Sequence, residues 1–177
     1  MTDLSPIGTL EGLEELFLED LAGVRDLAPI GALRNLRSLS IAGGMEKALR
    51  IQSLRWIAAL GELRTVELFN LKVADDDITV LAQLPRLERL RLANMWPMEQ
   101  FAVLAARLGR GLTFPMPVNE IDAPCPRCGG DRVMLIGRGK PLLCRRCDMA
   151  RIARELDQYE KALRVASLEQ KDAGGDE

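Results

Sequence analysis

Histidine is absent from the 177 residues of this sequence, and aromatic residues make up only 4% of them. Since histidine is the side chain most often used in general acid–base catalysis near neutral pH, its absence excludes a histidine-dependent catalytic site. The only tyrosine, Tyr159, lies on an apolar helical stripe, and GRGK at 137–140 lacks the spacing of a phosphate-binding loop. Asp75, Asp76 and Asp77 stand where acidic residues are expected before a helical turn. The sequence therefore predicts a protein that is not an enzyme and has no small-molecule substrate.

Long hydrophobic runs are also missing. No stretch approaches the ~20 consecutive apolar residues that a membrane-spanning helix needs. The opening residues, MTDLSPIGTLEGLEEL, contain acidic side chains in place of the basic and apolar regions of a secretory signal peptide. We therefore expect a cytoplasmic protein without membrane contact, in a compartment that keeps thiols reduced.

Acidic residues are scarce in one segment. The net charge is −2, yet residues 123–154 carry eight basic and only two acidic side chains, and the segments on either side are net acidic. Such an asymmetry suggests that different segments have different roles. The chain length suits one domain and a small additional module.

The most informative feature that is present is an internal repeat. Residues 3–13, DLSPIGTLEGL, and 26–36, DLAPIGALRNL, share seven residues in step, and two looser copies follow. Apolar residues occupy the offsets −9, −6, −3, 0, +3 and +5 in every copy when four leucines are taken as origins. These origins are Leu13, Leu36, Leu63 and Leu87. The copies are spaced 23, 27 and 24 residues apart.

The offsets predict the conformation of each copy. Apolar residues at +3 and +5 indicate a short strand with one face buried, and the steps of three before it suit a 3₁₀ or single helical turn. Pro6 and Pro29 stand where such a turn begins. One copy cannot bury its apolar side chains, but stacked copies can, so the pattern predicts a solenoid. Its inward strand positions would include Leu16, Leu39, Val66 and Leu90.

This repeat resembles that of leucine-rich-repeat proteins of the short-repeat bacterial type, over about residues 4–112. The resemblance implies an α/β fold of about four repeats, with parallel strands and short 3₁₀ or helical returns, and a role in protein binding. The family places an asparagine at +8, whereas Asn70 and Asn94 stand at +7. An amphipathic helix predicted at 98–109 would cap the solenoid, giving a first domain of residues 1–118.

Side chains that point away from the predicted core should form an exposed strand face. This face would be acidic in the first strand, basic in the last, and would carry two phenylalanines. The predicted partner-binding residues are Glu15, Phe17, Glu19, Ser40, Glu67, Phe69, Arg89 and Arg91. Aromatic side chains on a polar face are typical of protein-binding surfaces. Alternatively, Phe17 and Phe69 fold against flanking loops and the charges form only a solvated surface.

All four cysteines lie in CPRCGGDRVMLIGRGKPLLCRRC, residues 125–147. The pattern is Cys-x2-Cys, fifteen residues and Cys-x2-Cys, which is typical of a zinc site with four thiolate ligands. It predicts that Cys125, Cys128, Cys144 and Cys147 hold one structural Zn²⁺. The segment between the pairs reads as strand, glycine-containing turn and strand. The spacing alone leaves an iron–sulfur cluster or disulfides as alternatives.

Residues 123–148 resemble a zinc ribbon, and we predict a second domain at 119–148. Its candidate nucleic-acid contacts are Arg127, Arg132, Arg138, Lys140, Arg145 and Arg146. However, the segment has no aromatic residue to stack on bases, and its arginines could equally pair with acidic residues or face solvent. An amphipathic helix at 149–171 should dock on another part of the chain or pair with a partner helix, and 172–177 should be a disordered tail.

Two functions from different classes follow. The first is a non-enzymatic protein–protein interaction module, an adaptor or a neutralising inhibitor, that binds a protein partner through the strand face. The alternative is a nucleic-acid-associated protein that contacts DNA or RNA through the basic zinc ribbon.

Overall fold

The computed structural model describes residues 3–21, 23–108 and 116–173, which form two compact units. The N-terminal unit extends to Met95. The C-terminal unit comprises Trp96–Arg107 and residues 116–173 of the described chain. The strands are β1 (Glu15–Glu19), β2 (Ser38–Ala42), β3 (Leu49–Ile51), β4 (Thr65–Phe69), β5 (Leu71–Val73), β6 (Arg89–Leu92), β7 (Val118–Ile121), β8 (Arg132–Leu135) and β9 (Leu142–Cys144). The α-helices are α1 (Met98–Arg107) and α2 (Met149–Ala173).

The N-terminal unit contains a four-stranded parallel sheet in the order β1-β2-β4-β6. One strand comes from each copy of the repeat, and equivalent offsets lie side by side. The apolar residues three positions after each origin form one continuous row. This row is Leu16, Leu39, Val66 and Leu90. The predicted alignment of the copies in an α/β repeat fold is therefore confirmed.

A five-residue 3₁₀ helix precedes each strand of this sheet. The four helices are Ser5–Thr9, Ala28–Ala32, Arg55–Ala59 and Thr79–Gln83. Proline is the second residue of the first two, where a missing N–H costs no hydrogen bond within the helix. The turn repeats closely between copies: the Leu10 N–H donates to Ile7 O and the Leu33 N–H donates to Ile30 O, both at 3.0 Å. Residues three apart thus share one face, as the apolar spacing predicts.

The repeat core is densest in its middle copies. Leu33, Leu39 and Ile57 are completely buried, because a copy on either side covers them. The first copy has a copy on one side only, and its Leu10 is 52% exposed although it occupies the same offset as Leu33. Burial therefore depends on the position of a copy in the stack, and not on its sequence alone.

The position seven residues after the origin directly follows the strand in the first three copies. Asp20 and Asn70 occupy it with left-handed backbone angles, φ 49° and 46° respectively, which Asp and Asn adopt more readily than most residues. At Gly43 an added Cβ would lie 2.2 Å from Asn70 O, so only glycine fits there. The left-handed backbone at this position explains why Asn70 stands at +7. Its side-chain amide donates to Gly44 O at 2.6 Å, and beyond it the parallel pair β3–β5 forms, which the sequence reasoning did not predict.

The C-terminal unit contains a three-stranded antiparallel sheet in the order β7-β8-β9. The pair β8–β9 is the strand–turn–strand predicted between the cysteines, whereas β7 was not predicted. Helix α2 packs on this sheet through a small core that includes Ile152 and Leu156 of its apolar stripe. This core comprises Val133, Leu135, Leu143 and Ile152, with Val118 and Leu156 at its margin. The stripe therefore docks within the chain, one of the two outcomes expected for it.

The helix predicted to cap the solenoid belongs to the C-terminal unit. Helix α1 ends at Arg107 and packs against α2. The chain passes from the first unit to the second after Met95, and Leu108 belongs again to the first unit. The first domain at residues 1–118 stays a prediction, and the predicted end of the helix at Gly109 lies outside the described residues. Helix α2 continues through Ala173, two residues into the predicted disordered tail, and residues 174–177 of that tail are not described. Neither of the two helices has the length and apolar character needed to cross a membrane.

Candidate functional site

The four cysteines of the C-terminal unit converge on one point. Cys125 and Cys128 lie in the turn between β7 and β8, Cys144 ends β9, and Cys147 lies in the turn before α2. The thiols are free, and all four Sγ atoms lie within 4.8 Å of one another. Cys125 and Cys144 are buried and the other two are exposed. The antiparallel β8–β9 pair brings the two turns together, because both open from the same end of the hairpin.

The two turns share a backbone geometry that directs N–H groups at sulfur. The Gly129 N–H donates to Cys125 O at 2.8 Å and the Asp148 N–H donates to Cys144 O at 2.9 Å, so each turn comprises five residues. Gly129 has φ +68°, a conformation that favours glycine. A hydrogen bond from the Arg127 N–H lowers the pKa of the Cys125 thiol to about 6. The Cys147 N–H likewise lowers the pKa of Cys144. Two thiols are thus prepared for the thiolate form that binds metals.

The other two sulfurs, those of Cys128 and Cys147, contact each other. The Cys147 thiol donates to Cys128 Sγ at 3.4 Å, and this hydrogen bond raises the pKa of Cys147 to about 12. Four thiolates this close repel one another unless a cation lies between them. A tetrahedral zinc site with Zn–S distances of ~2.3 Å would place its sulfurs about 3.8 Å apart. The spacing of the four Sγ atoms fits such an ion, whose positive charge would offset the repulsion between the thiolates. All four ligands would come from the protein, so no position would remain open for catalysis.

An ion pair behind the sulfurs connects the two cysteine turns. The Asp148 carboxylate accepts a hydrogen bond from the Cys144 N–H and a two-pronged contact from the Arg127 guanidinium, all at 2.8 Å. The Cys144 N–H contributes most to lowering the pKa of Asp148, followed by Arg127. Arg127 belongs to the first turn and Asp148 to the second, so the pair holds the turns at a fixed separation. Partners behind metal ligands commonly orient them in this way.

The basic residues proposed as nucleic-acid contacts are largely engaged inside the C-terminal unit. Three of the six form ion pairs: Arg127 with Asp148, Lys140 with Glu155 and Arg145 with Glu120. Arg132 is half-buried in β8, and the stem of Arg146 lies against Gly130. Arg138 is exposed, and the hydrogen bond from its backbone N–H to Trp96 O, at 2.7 Å, does not involve its guanidinium. The structure therefore distributes these residues among separate contacts. Their abundance in the sequence overstates the charge available to bind phosphate.

The predicted partner-binding residues share the exposed face of the four-stranded sheet, which we call the strand face. They form three rows across the parallel strands. The rows are Glu15, Ser38, Thr65 and Arg89; Phe17, Ser40, Glu67 and Arg91; and Glu19, Ala42 and Phe69. The first strand is acidic, the second is neutral and the last is basic. This is the charge order that the sequence predicts.

The two phenylalanines of the strand face have different surroundings. The Arg91 guanidinium lies 5.4 Å from the centre of the Phe69 ring and also pairs with Glu67 at 3.0 Å. Phe69 is therefore partly covered by a cation–π contact. Phe17 is 67% exposed. Of the two aromatic anchors that the sequence predicts, Phe17 is the one that projects freely, and the alternative that it folds against a loop does not apply.

No protein-family model matches the sequence, and no curated protein matches it. Among solved structures, the chain is similar to internalin C2 from Listeria monocytogenes, with 25% identity over 59% of this chain and 43% of that one and a TM-score of 0.46. A second is an internalin (inlF) of the same species, with 23% identity over 58% of this chain and 35% of that one and a TM-score of 0.39. The chain spans less than half the length of either protein. At these TM-scores the fold assignment depends on the strand register and burial described above.

Proposed function

We propose that the chain is a non-catalytic protein-interaction module, an adaptor or a neutralising inhibitor, that binds a protein partner through the strand face. In this proposal the N-terminal unit is a short leucine-rich-repeat solenoid and the C-terminal unit is a zinc ribbon with a docked helix. A compartment that keeps thiols reduced, such as the cytoplasm, suits the free cysteines.

The observation that carries the proposal is Phe17, 67% exposed at the centre of an acidic strand. An aromatic ring costs little entropy to immobilise and offers a large apolar area to a partner, so it is typical of interface anchors. The neighbouring charges, Glu15 and Glu19, would form the polar rim. The parallel sheet beneath is held by inward aliphatic rows that are completely buried in β2 and β4, at Leu39, Ile41, Val66 and Leu68, which gives the face the rigidity that favours affinity.

The metal is proposed to be a single structural Zn²⁺ held by Cys125, Cys128, Cys144 and Cys147. Thiolate ligands in a tetrahedral set suit zinc, and they also suit iron–sulfur chemistry. Zinc is favoured because two backbone-directed turns with closed coordination are typical of structural zinc sites. Its role would be to hold the sheet and α2 together, and not to react.

The proposal predicts that partner capture depends on the strand face. Full-length tagged chain would be used to capture proteins from a lysate of its source cells, with mass spectrometry as the readout. Phe17→Ala should reduce recovery of the specific partner about tenfold or more, because the ring is the exposed anchor. Arg145→Ala/Arg146→Ala should leave recovery unchanged, since these residues lie in the C-terminal unit.

The opposite pattern would favour nucleic-acid binding. If the arginine variant loses its main ligand, if nuclease treatment abolishes capture and if Phe17→Ala has no effect, the strand face is not the functional surface. A control variant, Glu160→Gln on the exposed side of α2, should behave as the unmodified chain in either case.

A further inference from the structure

The first copy of the repeat leaves one end of the parallel sheet without a neighbour. Strand β1 is an edge strand, since it pairs only with β2 in the described sheet. Beside this edge, Leu10 is 52% exposed, and Ile7, Leu13 and Leu16 are half-buried, whereas the equivalent residues of the second and third copies are completely buried. We call the outer edge of β1 together with these four residues the end surface. It offers backbone hydrogen-bonding groups and apolar area in the places that a further strand would occupy.

The end surface is also acidic. Residues 3–21 contain six acidic side chains and no basic one. Glu14 pairs with Arg37 at 3.2 Å, but Glu15 and Glu19 lie beside Ser38 and Ala42 in β2, which cannot neutralise them. No ion pair involving Glu15 or Glu19 occurs within the described ranges. The charge of β1 is therefore available to a basic partner on its outer side.

The same sheet contains an example of the strand that would complement β1. Strand β4 presents Glu67 and Phe69 on the exposed face, much as β1 presents Glu15, Phe17 and Glu19. Beside β4 lies β6, with the alternating sequence Arg-Leu-Arg-Leu. Arg91 of β6 pairs with Glu67 and also lies over the Phe69 ring. The leucines of β6 face the core in register with Val66 and Leu68. An acidic and aromatic strand is thus satisfied by a neighbour that alternates basic and aliphatic residues.

We propose that β1 accepts an extended segment of a partner protein as an additional strand of the sheet, and that this segment alternates basic with aliphatic residues. The inference rests on the proposed protein-binding function and adds the chemistry and the geometry of the partner. Basic side chains of the segment pair with Glu15 and Glu19 and stack on Phe17. Its aliphatic side chains cover Leu16 and Leu10, while its backbone completes the outer edge of β1.

A second copy of the chain is a poorer occupant. Two-fold pairing of β1 with its copy, centred on Phe17, places Glu15 opposite Glu19 twice. Like charges directly opposite each other on paired strands are destabilising, and these would be close at a solvent-exposed edge. The charge of β1 therefore selects against self-pairing through this edge and for a basic strand.

The probe for this proposal is a synthetic fluorescent peptide in which arginine and leucine alternate, titrated with the full chain and followed by fluorescence anisotropy. We expect saturable binding that is weakened roughly tenfold by Glu15→Gln/Glu19→Gln and by a similar factor by Phe17→Ala. The double variant Glu160→Gln/Glu169→Gln removes the same charge from exposed positions of α2 and should bind as the unmodified chain. Circular dichroism of each variant checks that the fold is retained.

Methylation of the peptide backbone nitrogens distinguishes strand addition from attachment by side chains alone. Methylating those nitrogens that face β1 should abolish binding, because it removes the donors that would pair with the strand edge, whereas methylating the alternate nitrogens should have little effect. Equal binding of all three peptides overturns strand addition. If the Phe17→Ala chain then still loses its captured partner, the strand-face function stands without the edge mechanism. Dimerisation of the chain that depends on Glu15 and Glu19, measured by analytical ultracentrifugation, also overturns the proposal.

Discussion

Replacing Cys144 with serine is expected to unfold the three-stranded sheet of the C-terminal unit. The apolar cluster of this sheet is small, with Val133, Leu135, Leu143 and Ile152 as its buried members, and Cys144 directly follows Leu143 at the end of β9. In small modules of this kind, metal binding supplies free energy comparable to the stability of a whole domain. Serine cannot replace the thiolate, so hydrogen exchange should show loss of protection across β8, β9 and the first turns of α2. A chelator should produce the same loss in the unmodified chain.

A conservative variant tests the contribution of the ion pair behind the cysteines separately from that of the cysteines themselves. Asp148→Asn keeps all four thiols but removes the charge that orients Arg127 and accepts the Cys144 N–H. It should fold at saturating metal while binding the metal about 10–100-fold more weakly in chelator competition. Native mass spectrometry should find one zinc ion per unmodified chain. If Cys144→Ser keeps both the metal and full protection, the cluster does not hold the unit together.

A matched pair of leucine variants measures the cost of cavities in the repeat core. Leu33 and Leu10 occupy the same offset in consecutive copies, but Leu33 is 0% exposed and Leu10 is 52% exposed. Leu33→Ala should lower the free energy of unfolding by ~2–5 kcal/mol, because it leaves a cavity that its neighbours cannot fill. Leu10→Ala should cost less than about 1 kcal/mol, since its side chain already contacts water.

Tryptophan fluorescence can measure the unfolding of the N-terminal unit, which contains both leucines. Trp56 lies in the third 3₁₀ helix, and Trp96→Phe removes the only other tryptophan. Urea unfolding in that background therefore follows the N-terminal unit. Equal losses for the two variants would contradict the stacking of copies, because stacking alone makes the two sites differ.

The sequence predicted the repeat fold well because the same physical requirement recurs in each copy. Every strand needs inward aliphatic residues at +3 and +5, and every 3₁₀ turn needs apolar residues three apart, so the pattern survives even in the looser copies. The alignment of Leu39 with Val66 follows directly from it. The adjacency of Phe69 and Arg91 could also have been derived, since both lie on the outward face of neighbouring strands.

The assignment of α1 shows what such a pattern cannot decide. The spacing of Phe101 and Leu104 indicates a helix with one apolar face, but any apolar surface could cover that face. The choice of α2 as its neighbour depends on tertiary packing that no local period encodes. The strand β7 was missed for a related reason, because four residues with little alternation give a weak signal.

The four cysteines of the site could be predicted from the sequence, but the ion pair that holds their two turns could not. Two Cys-x2-Cys pairs constrain geometry tightly, so their convergence follows from spacing. The ion pair between Arg127 and Asp148 joins residues 21 positions apart, and its only sequence signal is that each adjoins a cysteine. Similarly, the net positive charge of the segment did not reveal that Lys140 and Arg145 have acidic partners from outside it.

The most direct test of the central claim is a hydrogen-exchange footprint of the full chain with and without the captured partner. Binding of the partner should slow exchange in the strands of the parallel sheet, most strongly at Glu15–Glu19, where a strand edge and an exposed aromatic ring lie together. Residues 118–148 should exchange at the same rate in both samples. Slowed exchange confined to residues 118–148, with the parallel sheet unchanged, would show that the partner does not bind the strand face.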